Sequence, residues 1–184
     1  AVQYQCNPVQ QCSVTTNFNG TFLPSGWQVG TLPFGEGGWS EGGGSVSFSS
    51  GCNSKNNFLV NNTVQNGPGT LQVSMCTKTN GGNFNGLVFG YNPNTGNGYG
   101  IQFFNNGSSN PGTLYWVTYT AGVSTASTSA SLGNGALNAC PYWVEVDVNA
   151  SCQYAVKIAT SLAGTASAPV TATFTGAGCS SGYM

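Results

Sequence analysis

Residues 86–104, GLVFGYNPNTGNGYGIQFF, constrain this chain more than any other stretch. Two apolar, aromatic runs, 87–91 and 99–104, flank a cluster of Asn, Pro, Thr and Gly, which is the sequence form of a β-hairpin with a long turn. The period-2 rule puts Leu87, Phe89 and Tyr91 on one face of the first run and Tyr99, Ile101 and Phe103 on one face of the second. A two-stranded ribbon with that much apolar surface is marginal alone in water, so the hairpin predicts a sheet beside it and another across from it.

The same alternation recurs along the chain. Short strands broken by Pro24, Pro33 and many glycines are expected over 14–39, with Trp27 and Trp39 as anchors, and the glycine-dense 41–44 reads as loop. Residues 45–49 point Val46 and Phe48 inward, 58–60 form a short apolar piece, and 70–75 alternate Leu71, Val73 and Met75. Residues 113–120, TLYWVTYT, are apolar on both faces, which places them mid-sheet or against a second sheet. Residues 121–135, rich in Ser, Thr and Ala, read as a polar edge strand plus turn.

Tyr142, Val144, Val146 and Val148 share one face of the next strand and leave Trp143, Glu145 and Asp147 on the other. Residues 152–159 return with Tyr154, Val156 and Ile158 inward and Lys157 outward, and 170–175 bring in Val170, Ala172 and Phe174. Apolar residues recur at two rather than at three and four, so no helix is expected. Roughly ten short strands separated by turn signals mean an all-β fold, a two-sheet antiparallel sandwich or a barrel. The length of 184 residues suits an N-terminal extended arm, 1–13, followed by a single sandwich domain, 14–184.

Charge is scarce. Lys55, Lys78 and Lys157 face Glu36, Glu41, Glu145 and Asp147, with no Arg and no His. Three scattered lysines make no basic patch, which excludes nucleic acid as a partner. No apolar run is long enough to span a membrane as a helix. The chain begins at Ala1 without a charged segment leading into an apolar one, as expected of a mature product after signal removal. Seven cysteines, Cys6, Cys12, Cys52, Cys76, Cys140, Cys152 and Cys179, lack CxxC spacing and have no His to share a zinc site. They read as disulfides of an oxidising, extracellular compartment, with the pairing open and one thiol left over. Asn19, Asn61, Asn106 and Asn149 head N-x-S/T sites for N-glycosylation. With so few groups to titrate, the net charge changes little as pH falls.

Residues 1–12, AVQYQCNPVQQC, have two readings. One is a local loop; the other is a strand, carried by Val2, Tyr4 and Val9, that adds to a sheet edge in this molecule or a neighbour.

FNGTFLPSGW (18–27), GLVFGYNPNTGNGYGIQF (86–103), PYWVEVDVN (141–149) and TFTGAGCSSGYM (173–184), in this order, resemble the concanavalin A-like lectin/glucanase superfamily, particularly its laminin-G-like members. The resemblance implies a jelly roll rather than a chemistry. It also implies a last strand after the Gly-rich turn, pairing near the first strand. The sequence stops at Met184, so either the product is cut at that end or another strand fills the gap, with the arm as a candidate, in cis or from a neighbouring copy.

Glu145 and Asp147 are the only closely spaced carboxylates, and i, i+2 spacing puts them on one strand face. This resembles the E-x-D strand of laminarinase-like glucanases, where such carboxylates serve as nucleophile and acid/base, although a further Glu is missing and Asn149 stands at the next same-face position. The competing reading is a solvated outer face on which Glu145 or Asp147 pairs across the strands with Lys157. Serine and cysteine triads fail for want of a histidine base. No cofactor is required; calcium is the one candidate ion, with Glu36 and Glu41 as ligands beside carbonyls of the glycine-rich loop. Trp143, facing away from Val144 and Val146, is the candidate exposed aromatic for a sugar or an assembly contact.

The favoured expectation is a non-catalytic extracellular structural protein, a glycosylated, disulfide-containing β-sandwich that assembles with copies of itself into a surface filament. A carbohydrate-binding lectin-like module and a laminarinase-like glycoside hydrolase are the alternatives.

Overall fold

The computed structural model describes residues 2–6, 13–16, 27–29, 39–42, 45–48, 59–61, 67–76, 84–107 and 110–176; up to residue 61, and at Phe84, it describes the backbone alone, Val46 excepted. Among the described residues fourteen strands follow one another: β1 Val2–Cys6, β2 Ser13–Thr16, β3 Trp27–Val29, β4 Trp39–Gly42, β5 Ser45–Phe48, β6 Leu59–Asn61, β7 Gly69–Met75, β8 Phe84–Asn92, β9 Asn97–Phe104, β10 Pro111–Thr120, β11 Val123–Asn134, β12 Tyr142–Val148, β13 Gln153–Ala159 and β14 Ala172–Thr175. One helical turn, α1 Leu162–Thr165, lies between β13 and β14. A six-stranded sheet runs β14-β13-β12-β7-β1-β2 and a four-stranded sheet β11-β10-β9-β8, with β3–β6 and β4–β5 as separate pairs. The fold is an all-β, two-sheet antiparallel sandwich.

Alternation builds its interior. Leu71 and Val73 of β7, Val144 and Val146 of β12, and Tyr154 and Val156 of β13 face Ile101 and Phe103 of β9 and Leu114 and Trp116 of β10 in one core. Each such side chain contributes about 1.5–3 kcal/mol by leaving water. Trp116 is the hinge of the aromatic packing, stacked on Tyr99 at 5.6 Å and Phe174 at 5.7 Å and tilted against Tyr154 at 4.9 Å. The expected central hairpin is β8–β9, and the strand apolar on both faces is β10, inside its sheet. The polar edge strand is β11. The disulfide Cys76–Cys140 ties the end of β7 to the entry of β12, its Cα atoms 4.8 Å apart.

Four expectations need correction. Tyr91 does not share a face with Phe89. Phe89 opposes Tyr99 and Asn92 opposes Asn97, so Gly90 and Tyr91 together face Gly98, a β-bulge that reverses the alternation. Gly90, at φ 57°, makes the bulge possible because only glycine takes that backbone region without strain. Tyr91 consequently packs with Val117 and Tyr119 in a second apolar cluster on the outer face of the four-stranded sheet.

A helix does exist: Ser161 caps it by accepting from the Gly164 N–H at 3.1 Å, and Pro169 follows soon after. One turn is too short to show a 3.6-residue period. Val170 is 52 % exposed, because the strand begins only at Ala172 after Pro169. Glu41 and Gly42, expected in a loop, close β4.

The arm contributes β1, which lies inside the six-stranded sheet between β7 and β2. Val2 and Tyr4 take the register positions opposite Val73 and Leu71. Val9 lies outside the described residues.

Candidate functional site

The chemistry gathers on the outer face of the six-stranded sheet, where β7, β12 and β13 run side by side. Register alone brings the groups together: Glu145 opposes Gln72 on one side and Lys157 on the other, and Asp147 opposes Thr70. Side chains directly opposite across antiparallel strands stand close enough to bond. Lys157 Nζ lies 2.7 Å from Glu145 Oε1 and 2.8 Å from Asp147 Oδ2. Gln72 Nε2 donates to Glu145 Oε2 at 2.6 Å, and Thr70 Oγ1 donates to Asp147 Oδ1 at 2.7 Å.

α1 closes the cluster from above. Thr165, fully buried, donates its hydroxyl to Glu145 Oε2 at 2.8 Å, and Gln72 Nε2 reaches Thr165 Oγ1 at 3.3 Å. Glu145 is only 5 % exposed. The sheet face expected to be solvated is therefore covered at this point, while the expected Glu145 and Asp147 pairing with Lys157 is present.

Burial by itself would raise the Glu145 pKa, but hydrogen bonds from Lys157, Gln72 and Thr165, together with the lysine charge, outweigh it and hold the carboxyl below its ordinary 4.5. Bonds to Asp147 and Glu145 outweigh desolvation at Lys157 and raise its pKa above 10.5. A retaining glycosidase needs two carboxyls about 5 Å apart with one held protonated. Here the ammonium stands between the carboxylates, both Glu145 oxygens are engaged, and the Glu145 shift runs toward the ionised form. As built, the cluster ties three strands and a helical turn together. Sequence pattern could not point to Gln72, Thr70 and Thr165, since they lie 73, 77 and 20 residues from their acidic partners.

Trp143 is half-buried, in register between Ser74 and Ala159. Asn106 and Asn149 are exposed; the Asn106 amide donates to the Pro111 carbonyl at 2.9 Å, and Asn149 organises the β12–β13 turn by accepting from Ser151 and Gln153 N–H groups. Asn61 ends β6, and Asn19 lies outside the described residues. Cys152 is disulfide-bonded; Cys6 ends β1, and Cys12, Cys52 and Cys179 lie outside the described residues. Glu36 lies outside them too and Glu41 is described by its backbone alone; among the described residues no three His, Cys, Asp or Glu side chains gather to hold a metal.

A shallow groove of about 440 Å³ opens at the end of the four-stranded sheet where the β8–β9 and β10–β11 turns meet. Asn92, Thr95, Asn97, Thr118 and Thr120 line it beside Tyr99 and Tyr119. The two turns are joined by Asn97 Oδ1, which accepts from the Ala121 N–H at 2.9 Å, and by a Gly122 N–H to Gly96 carbonyl bond at 2.9 Å. Comparison of the chain with known protein families, with characterised proteins and with solved structures gave no match.

Proposed function

We infer that this protein is a non-catalytic extracellular structural subunit that assembles with copies of itself at a cell surface, as a filament or pilus-like fibre. One observation carries the reading. The edge strands of the two larger sheets, β2 (SVTT), β14 (ATFT), β8 (FNGLVFGYN) and β11 (VSTASTSASLGN), contain no charged residue and no proline. Natural sheets guard free edges with charges, prolines, bulges or short strands, since an unguarded edge is a template for another chain. These four strands carry neither charge nor proline, β8 and β11 lie in bulged ladders, and β2 and β14 are four residues long. Four uncharged edges on one sandwich are a surface suited to strand addition. The engaged state of Glu145, Asp147 and Lys157 supports a structural role for this acidic pair. The disulfides fit an oxidising compartment, and exposed Asn106 and Asn149 are the proposed glycan carriers.

Electron microscopy of native material, with Thr173→Lys as comparison, tests the reading. Thr173 is exposed on the β14 edge strand, and Ser129→Lys places the same charge on β11. Filaments from the parent that are shortened or abolished in at least one lysine variant are the expected outcome; monodisperse parent protein at high concentration overturns it.

A second reading, a carbohydrate-binding module, is favoured by the uncharged groove of Asn, Thr and Tyr residues, whose amides and hydroxyls match neutral sugar hydroxyls. Saturable glycan binding that Asn97→Ala removes would select it, and a blank glycan array would reject it.

A further inference from the structure

We propose that the paired strands β1 (Val2–Cys6) and β2 (Ser13–Thr16) are exchanged between copies, β1 pairing with β7 of the next subunit in the register that β1 and β7 adopt within one chain. The proposal rests on the self-assembly reading and names the donor, the acceptor and their alignment.

β1 lies inside the sheet, and among the described residues its strand pairing to the rest of the sandwich runs through β7, with β2 outside it. The pairing joins positions far apart in sequence, Val2 with Val73 at one end and Cys6 with Gly69 at the other. Such a contact is indifferent to which copy supplies the strand, because an exchanged strand makes the same hydrogen bonds in trans as in cis. Concentration and the entropy of the connecting segment then decide between the two.

The acceptor is ready without β1. On its far side β7 is fixed to β12 by a seven-residue register, by Gln72 to Glu145 and Thr70 to Asp147 bonds, and by the Cys76–Cys140 disulfide. β7 thus keeps its place when its other edge is open. No charged residue occurs in β1 (VQYQC), β2 (SVTT) or β7 (GTLQVSM), so neither strand carries a charge that would discriminate against pairing with another copy.

The connection is long enough. Residues 17–26 join β2 to β3 and can span about 33–36 Å when extended, several times the roughly 10 Å between packed sheets. Donation from each copy to the next is head-to-tail and does not close on itself unless the rotation closes, which gives a fibre rather than a dimer.

Benzoylphenylalanine placed at position 3 in place of Gln3, which opposes Gln72, tests the alignment. Irradiated assemblies are denatured, separated by size and mapped by mass spectrometry; the same probe in place of Gln5, opposite Thr70, serves if the first variant does not fold. The expected result is a ladder of covalent dimers and larger species whose cross-links fall within residues 69–75. Filaments with cross-links to 69–75 confined to the monomer band overturn the exchange and leave self-assembly standing. Oligomers cross-linked elsewhere overturn the register, and a parent that never assembles overturns both.

Discussion

At the scale of single residues, the ion pairs among the described residues meet at one lysine. Lys157 serves two carboxylates, so removing it leaves Glu145 nearly dry and uncompensated beside Asp147. Lys157→Met is expected to cost about 3–5 kcal/mol in chemical denaturation at neutral pH, with the loss shrinking in acid as Glu145 protonates. The wild-type linkage follows from the directions of the shifts. Glu145, held below 4.5, contributes stability that is present above that value and lost as pH falls through its folded pKa. Lys157, held above 10.5, contributes stability that is present below that value and lost as pH rises through its folded pKa. Between 4.5 and 10.5 this cluster makes stability flat, and Glu145→Gln should remove the Glu145 share of the acid limb; an unchanged limb in thermal melts would place it elsewhere. Glu145 and Lys157 were legible in the sequence because a short hairpin fixes which residues oppose each other. Gln72 and Thr165 were not, because nothing local says that β7 lies beside β12 or that a helical turn crosses the face.

At the scale of elements, legibility followed strand length and regularity. β7, β9, β12 and β13 could be read from alternation, and their inward residues form the core, Met75, Tyr99 and Ile158 being only partly buried, while outward Glu145 is buried under α1. β8 could be read only up to Phe89, because a bulge inserts one residue and turns everything after it over. Gly90 was visible in the sequence, but a glycine in a strand names a bulge only once its partner strand is known. β1 hid for another reason: five residues carry too little periodicity to separate a strand from a loop, and its place was set by β7. The Cys76–Cys140 disulfide spans 64 residues and ties the acceptor strand to its neighbour. Replacing both cysteines with Ser is expected to cost up to about 4 kcal/mol by the loop-entropy estimate, read as a lowered denaturation midpoint. The paired replacement should leave β7–β12 pairing intact at low denaturant by hydrogen exchange; loss of protection across 69–75 would mean that the disulfide, rather than the cross-strand bonds, holds β7 in place.

At the scale of the whole molecule, a net charge of −1 on 184 residues leaves almost nothing for salt to screen. The rate and extent of the proposed self-assembly, followed by light scattering, should hold within about twofold between roughly 0.01 and 1 M ionic strength; a steep decline would point to an electrostatic contact instead. The outer apolar cluster adds a second consequence. Gly98 and Gly100 leave room for the rings above them: a Cβ on Gly98 would stand 2.7 Å from Tyr91 Cα, and one on Gly100 would stand 2.8 Å from Tyr119 Cε2. The two rings meet edge to face at 6.0 Å. Burial, with the neighbouring Tyr119 adding to it, pushes the Tyr91 phenol up to about 12, and burial likewise raises Tyr119 against a weak bond from Gln102. In an alkaline ultraviolet titration, the Tyr91 and Tyr119 phenols should therefore ionise late, and Gly100→Ala, by crowding Tyr119, should advance them toward 10. The glycine trough thus makes the sandwich its own optical gauge, with tyrosinate absorbance rising early whenever that outer layer is pried open.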